Sequence, residues 1–411
     1  MTALARTDLR RGACPGLSTP MQTGDGLLAR LMASGTVTLD AMAGLAAAAR
    51  RHGNGIIEIT SRGSVQVRGL TPQSAPLFAD AVAQLGIAAH DGVPVIADPL
   101  AGLDPYEVID AGALAADLRT ALAAQPFAPR LAPKTAITID GGGALHLDEL
   151  WADIRLRATG RPGDARLHVA IGGTGASAAP FAAIAPGDAI DTVVRLLGAT
   201  AARGPHARVR DVICGTGGIA PAPARAAVDA VGWHRLRGDC VAVGIGLPFG
   251  HADVTALEKL THAAREVGAD GLRAAPGRAL LVVGIADDAA SQFAASASQL
   301  GFIVDATDPR RRVVACAGAP ICGAGEIAAR ALAPAITTAI APLLDPGEVI
   351  HLSGCAKGCA HQGAAALTVI GRTGACDLLV KGAPAGSCAA VELPQRLAEL
   401  AQRLQPKVRH G

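Results

Sequence analysis

The chain repeats itself. This weak duplication constrains its fold more than any other feature, because it implies two pseudo-symmetric halves, chance similarity of two α+β segments being the alternative. The first copy opens at Gly24-Asp25-Gly26-Leu27-Leu28-Ala29-Arg30-Leu31 and runs into a helical stretch, Leu39 to His52. A strand from Gly55 to Thr60, a turn at Ser61–Ser64 and a strand from Val65 to Arg68 follow. Gly69-Leu70-Thr71-Pro72 then punctuates the chain before a helix near Ser74 to Leu85. The second copy opens at Gly238-Asp239-Cys240-Val241-Ala242-Val243-Gly244. Its helix near Val254 to Val267 leads to a strand at Gly271–Arg273, a turn at Ala275-Pro276-Gly277, a strand at Ala279–Gly284 and a helix from Asp287 to Leu300. Each copy reads β-α-β-β-α-β, a ferredoxin-like unit.

A longer α/β region follows each copy. Residues 91–225 hold strands at Ala136–Asp140 and Leu167–Ile171 and helices at Ala111–Ala123 and Asp188–Leu197. Residues 306–411 hold a helix near Glu326–Ala341 and strands near Val349–Leu352 and Ala366–Ile370. Pro221-Ala222-Pro223 reads as the linker between halves. The expected division is a ferredoxin-like repeat over 1–90, an α/β domain over 91–225, a second repeat over 226–305 and a second α/β domain over 306–411. The fold class is therefore mixed α+β and α/β with a pseudo-two-fold duplication, and 411 residues suffice for it.

Half of the residues are apolar and 18% are charged, so the chain is globular rather than disordered. A net charge of +2 argues against a bulk polyanion such as nucleic acid. No apolar stretch is long enough for a membrane span. The first residues carry Arg6, Asp8, Arg10 and Arg11 without an apolar core, unlike a secretory signal. Gly141-Gly142-Gly143 and Gly172-Gly173-Thr174-Gly175 lack the G-x-G-x-x-G spacing of a dinucleotide site and read as turns or as points of close approach to a ligand.

Cys316-Ala-Gly-Ala-Pro-Ile-Cys322 and Cys355-Ala-Lys-Gly-Cys359 form a C-x5-C and C-x3-C set. Four thiolates are what a [4Fe–4S] cluster requires, one per iron, and the spacing differs from the C-x2-C of zinc sites. Glycine and alanine in both pairs let the backbone pass close to a bulky inorganic cube. Such a cluster needs free thiols and hence a reducing, cytoplasmic compartment. Free cysteines are also common as small buried hydrophobes, and the scattered Cys14, Cys214, Cys240, Cys376 and Cys388 read that way.

These cysteines belong to a longer ordered set: Cys14-Pro15-Gly16, Gly24-Asp25-Gly26-Leu27-Leu28, Ile59-Thr60-Ser61-Arg62-Gly63, Pro99-Leu100-Ala101-Gly102-Leu103-Asp104-Pro105, Ile139-Asp140-Gly141-Gly142-Gly143 and the run from His351 to His361. The set resembles the precorrin-3B synthase family, an offshoot of the sulfite and nitrite reductases. The resemblance implies a sulfite/nitrite reductase-like fold and an O2-dependent hydroxylation of precorrin-3A at a meso carbon, with a lactone formed from the ring A acetate. It implies a [4Fe–4S] cluster on Cys316, Cys322, Cys355 and Cys359, with electrons from NADH through a separate reductase. In the resembling reductases the last of these cysteines also bridges to the haem iron.

The tetrapyrrole carries many carboxylates, for which guanidinium and ammonium groups are the natural partners. Arg62, Lys134, Arg273 and Lys357 are the candidates, with Arg68, Arg278 and Arg310–Arg312 behind them. The resembling reductases use arginine at the position of Arg62 and lysine near that of Lys134. A solvated charged face is the ordinary alternative for such residues. Activation of O2 implies a second, mononuclear non-haem iron, whose usual ligands are two histidines and a carboxylate. His351, His361 and the pair His146 and Asp148 are its candidates. The chain departs from the siroheme reductases at Val93-Pro94, where they carry Arg-Asn, at Ser61-Arg62-Gly63 against Thr-Arg-Gln, and at Lys357 against asparagine. The alternatives are a siroheme-dependent sulfite or nitrite reductase and a tetrapyrrole-binding protein without turnover.

Overall fold

The strand Val65–Leu70 opens on alternating apolar and polar residues, and antiparallel pairing with Ile56–Ile59 puts Ile57 opposite Val67 and Ile59 opposite Val65. All four side chains are buried on one face of their sheet, in the core that the helices Leu39–His52 and Ser74–Gln84 join. Thr38 caps the first helix by accepting from the Ala41 amide at 3.2 Å. The computed structural model describes residues 15–213, 220–340, 343–345, 347–361 and 365–404. Cys14 and Cys214 lie outside the described residues.

The described chain forms four five-stranded sheets. The first runs, in spatial order, Met21–Thr23, Gly26–Leu31, Val65–Leu70, Ile56–Ile59 and His251–Asp253. The third runs Gly232–Arg235, Cys240–Gly246, Ala279–Ala286, Gly271–Ala275 and Val37–Thr38. Each ferredoxin-like sheet thus ends on a strand donated by the other repeat. In both repeats the donated strand immediately precedes the first helix, Leu39–His52 or Val254–Glu266. The last strand of the expected β-α-β-β-α-β unit shrinks in each copy to one bridge, Ala33 with Ala89 and Gly246 with Ile303. The first helices pack on one another, and their ion pairs are reciprocal: Arg50 with Glu258 and Arg265 with Asp40, both at 2.6 Å. One continuous apolar core unites the two repeats, with Leu45 and Leu260 both fully buried.

The second and fourth sheets share one plan. Val95–Ala97, Ile137–Asp140 and Ala152–Arg161 are parallel neighbours, followed by antiparallel Asp164–Gly173 and Ala179–Ile184. Val313–Ala315, Ile350–Ser353 and Leu367–Arg372 repeat the parallel part, followed by antiparallel Ala375–Val380 and Ala383–Cys388. Helices Ala111–Ala123 and Ala189–Ala202 cover the second sheet, and Ala329–Ile340 and Leu393–Leu404 cover the fourth. Among the described residues no helix is long and apolar enough to cross a membrane.

Candidate active site

Two adjacent parallel strands deliver the cysteines. Cys316 directly follows Val313–Ala315, and Cys355 lies two residues past Ile350–Ser353. The strands are in register, and the Cys316 amide donates to the Leu352 carbonyl at 3.1 Å. The Gly354 amide donates to Cys316 Sγ at 3.0 Å. Burial raises the Cys316 and Cys359 thiols above their ordinary range, and the charges of the other cysteines of the set raise them further. The four sulfurs therefore lie within electrostatic reach of one another. The first repeat buttresses this site from outside. Gly24 sits so close to Cys322 that a Cβ there would lie 2.3 Å from its Sγ, and the Gly24 carbonyl accepts from the Gly323 amide at 2.7 Å. Next to it, Asp25 accepts two hydrogen bonds from Arg68, at 2.9 and 2.8 Å. Burial opposes the Asp25 charge, but the Arg68 guanidinium holds its carboxyl below the usual range. Arg68 in turn favours the charged form of Cys359, so a buried cation stands beside the thiols. Free thiols, a close-approach glycine and a fixed cation fit an anionic iron–sulfur cluster.

The two arginine turns meet at the pseudo-dyad. Thr60 Oγ1 accepts from the Arg62 and Ser64 amides, shaping a turn completed by Gly63 at φ 79°. Arg62 bridges to Pro276 of the equivalent turn, and the Gly277 amide donates to the Ser61 carbonyl at 3.1 Å. Beyond that turn Arg278 donates to the Ala360 carbonyl at 3.3 Å, one residue past Cys359. Arg62 lies within electrostatic reach of Asp153, which is only 1% exposed. Burial raises the Asp153 pKa, against the opposing pull of the Ala136 amide, Arg208 and Arg62. Arg208 Nη1 is 3.6 Å from Asp153, while its Nη2 donates to the Pro133 carbonyl at 3.0 Å. Lys134, the next residue, is exposed and has a left-handed backbone, φ 65°, uncommon for a residue with a Cβ. The structure thus brings Arg62 and Arg208 into one neighbourhood around Asp153, with Lys134 exposed on the chain next to Pro133. Sequence reasoning missed Arg208, which stands in no motif and is recognisable only through its long-range partners.

The other candidates are placed differently. Arg273 is buried and donates to Thr36 Oγ1 and to the carbonyls of Pro99 and Ala101, tying the exchanged strand to the Pro99–Pro105 segment. Lys357 is exposed between Cys355 and Cys359. Arg310 pairs with Asp308, Arg311 pairs with Asp229, and Arg312 donates to the Leu344 carbonyl. His146 Nδ1 lies 3.6 Å from Asp148, but among the described residues no third His, Cys, Asp or Glu joins them. Asp148 is held by Arg155 at 3.3 Å and Arg225 at 3.0 Å, and His146 Nε2 contacts the Ala226 carbonyl at 2.7 Å. His351 and His361 do meet edge-on with ring centroids 5.8 Å apart, and burial pushes His351 down to about 4. Among the described residues no three His, Cys, Asp or Glu side chains, the four cysteines included, are gathered to hold a single metal ion. The two-histidine-one-carboxylate set expected for a second iron is not assembled by the residues named for it, because the one carboxylate among them is spent on arginines.

Comparison with known proteins agrees with the fold. The nitrite/sulfite reductase ferredoxin-like half domain matches residues 19–85. The chain is 37% identical over 388 residues to a precorrin-3B synthase of Sinorhizobium sp, covering 92% of this chain and 84% of that protein. Sulfite reductase [ferredoxin] 2 of Mycolicibacterium paratuberculosis is 30% identical over 151 residues, 35% of this chain and 27% of the reductase. The structure of Mycobacterium tuberculosis NirA protein superposes with a TM-score of 0.72 at 19% identity, over 92% of this chain and 80% of NirA, a likeness of fold.

Proposed function

The chain belongs to the precorrin-3B synthase family, within the sulfite and nitrite reductase superfamily, and we propose that it is the enzyme that hydroxylates precorrin-3A at a meso carbon and closes the ring A lactone. Its place is then in cobalamin biosynthesis, with O2 as the oxygen source and NADH-derived electrons delivered by a separate reductase in the cytoplasm. The observation that carries this reading is the 37% identity to a precorrin-3B synthase along 92% of the chain.

Cys316, Cys322, Cys355 and Cys359 would hold the [4Fe–4S] cluster, which when bound supplies electrons one at a time. Arg68, held by Asp25 and 3.8 Å from Glu58, stands beside these thiolates, and Arg278 braces the Cys359 loop through the Ala360 carbonyl. Arg62, Arg208 and Lys134 form the edge that would bind the substrate carboxylates. Asp153 holds Arg208 in the meantime, at the 3.6 Å of a loose pair. A substrate carboxylate offering a closer, bidentate partner would displace it. The substitution at Val93-Pro94 also favours a large organic ring over a small oxyanion. Val93 packs against the apolar core of the second sheet, and the Pro94 carbonyl accepts from the Ile137 amide at 2.9 Å, so this segment supplies no cation.

The similarity to sulfite reductases supports a second reading, a siroheme-dependent reductase of sulfite or nitrite. Incubation with precorrin-3A, a reductant and 18O2 separates the two. Label in the hydroxylated product supports the oxygenase. Release of unmodified tetrapyrrole together with sulfite reduction at about 1 s⁻¹ or more, an ordinary enzymatic rate, replaces it with the reductase.

A further inference from the structure

Two cysteines outside the cluster set face each other. Cys376 on Ala375–Val380 and Cys388 on Ala383–Cys388 are direct register partners in an antiparallel pair. Both are free thiols, and direct partners project to the same face, here the core of the fourth sheet. Cys376 is 0% exposed, whereas Cys388 is partly open to solvent. We propose that Cys376 and Cys388 are a reversible oxidation site that closes to a cross-strand disulfide when hydrogen peroxide reaches Cys388.

The geometry needs only a small adjustment. Directly opposed residues have Cβ atoms about 4.5–5.5 Å apart, and a disulfide wants about 3.5–4.5 Å. Ala383–Cys388 is the edge strand of its sheet, and its register slips between Leu378 and Leu379, so this strand is free to close the gap. Cys388 is the entry point because it alone of the two is open to solvent. Its sulfur attacks the peroxide O–O bond; an S–O bond forms, and one water leaves. The Cys376 sulfur then attacks the Cys388 sulfenic acid; the S–S bond forms, the S–O bond breaks, and the thiol proton leaves with the hydroxyl as a second water. Each sulfur gives up one electron, and the peroxide is reduced to two waters. Burial raises both thiols, Cys376 to about 11, with each also raised by a neighbouring negative charge. At neutral pH the pair is therefore slow, answering sustained peroxide rather than traces. This site lies in the sheet that carries the cluster cysteines but shares no residue with them, so it stands or falls apart from the catalytic reading.

The test uses the cluster-loaded protein, treated anaerobically with hydrogen peroxide between pH 7 and 9. Free thiols are alkylated with one tag, and reducible ones, after reduction, with a second. The expected result is a Cys376–Cys388 cross-linked peptide that reductant reverses and that forms faster as pH rises. In Cys376→Ala, Cys388 should go on to sulfinic acid under the same dose. Oxidation of the unpaired Cys240 with no cross-linked peptide, or sulfinic acid at Cys388 in the unaltered protein, would overturn the proposal.

Discussion

Gly24→Ala offers the sharpest test of the cluster site, because the clash it creates depends on whether Cys322 is free to move. The added Cβ would lie 2.3 Å from Cys322 Sγ and 3.1 Å from the Ala324 amide nitrogen. In the cluster-free protein Cys322 can turn its thiol away, and the residual crowding against Ala324 costs about 1 kcal/mol, the low end for overpacking. With a cluster bound, the sulfur is fixed by its iron and cannot turn, so the full clash falls on the bound form. A penalty of about 3 kcal/mol in that form, the upper end for overpacking, exceeds the cluster-free cost by about 2 kcal/mol and lowers cluster affinity roughly 30-fold. Gly187→Ala is the control, since nothing lies within 4 Å of its added Cβ. The assay measures iron and acid-labile sulfide per chain during reconstitution at limiting iron, alongside the melting temperature of the cluster-free protein. Gly24→Ala should lose most of its cluster while the cluster-free protein melts within a few degrees of the parent. Full cluster content, or equal destabilisation with and without the cluster, would refute the placement of Cys322 as a ligand.

Four further outcomes are expected. Cys355→Ser should bring iron and sulfide to near zero, and a full cluster in this variant defeats the ligand assignment. Arg62→Ala and Arg208→Ala should each weaken tetrapyrrole binding by about 1.5–3 kcal/mol, the range for a hydrogen bond to a charged group, in a fluorescence titration; unchanged affinity returns the residue to a structural role. Burial, aided by Arg119 at His90 and by Arg330 at His251, holds both histidines down at about 4. Their folded values thus lie below the unfolded value of about 6.5, so stability is complete above pH 6.5 and falls as pH drops from 6.5 toward 4. Melting curves across that window should flatten in His251→Asn, and an unchanged slope refutes the buried neutral imidazole. Finally, residues 15–230 and 231–404 expressed separately should each remain unfolded but fold when co-expressed, as seen by circular dichroism; a stable single half contradicts the strand exchange.

Much of the fold is legible in local pattern. The helix Leu39–His52 coincides with its expected span because Thr38 supplies a cap and Gly53 ends it. The hairpins around Arg62 and Pro276 are legible because alternation fixes which face is buried. The exchanged strands are not. Val37–Thr38 is two residues long and His251–Asp253 three, too short for a period, and their partners lie more than 190 positions away. The closeness of Cys316 to the Cys355 strand end follows from the parallel pairing of their strands, which spacing alone does not give. Sequence could not show that Arg273 donates to Thr36 and to the Pro99 and Ala101 carbonyls, since an arginine bound to carbonyls looks the same in sequence as one facing a ligand. Arg208 was invisible because its meaning lies in Asp153 and Pro133, partners that only the folded chain supplies.

The strand exchange also accounts for an asymmetry. A pair of half-length chains related by a two-fold axis would trade the same edge strands, so the molecule is built as a dimer on one thread. Its twin sheets then offer the same two strand ends twice. In the C-terminal half they carry Cys316 and Gly354, joined by an N–H···S hydrogen bond at 3.0 Å. In the N-terminal half the corresponding ends carry Asp98 and Gly141, joined by an N–H···O bond at 2.5 Å. Asp98 thus stands where the other half has Cys316: a buried carboxyl pushed well above its usual range by burial and by Asp140, with Oδ1 lacking a hydrogen-bond partner. The corresponding strand ends of the two halves thus share one backbone bond, with oxygen in place of sulfur in the N-terminal half.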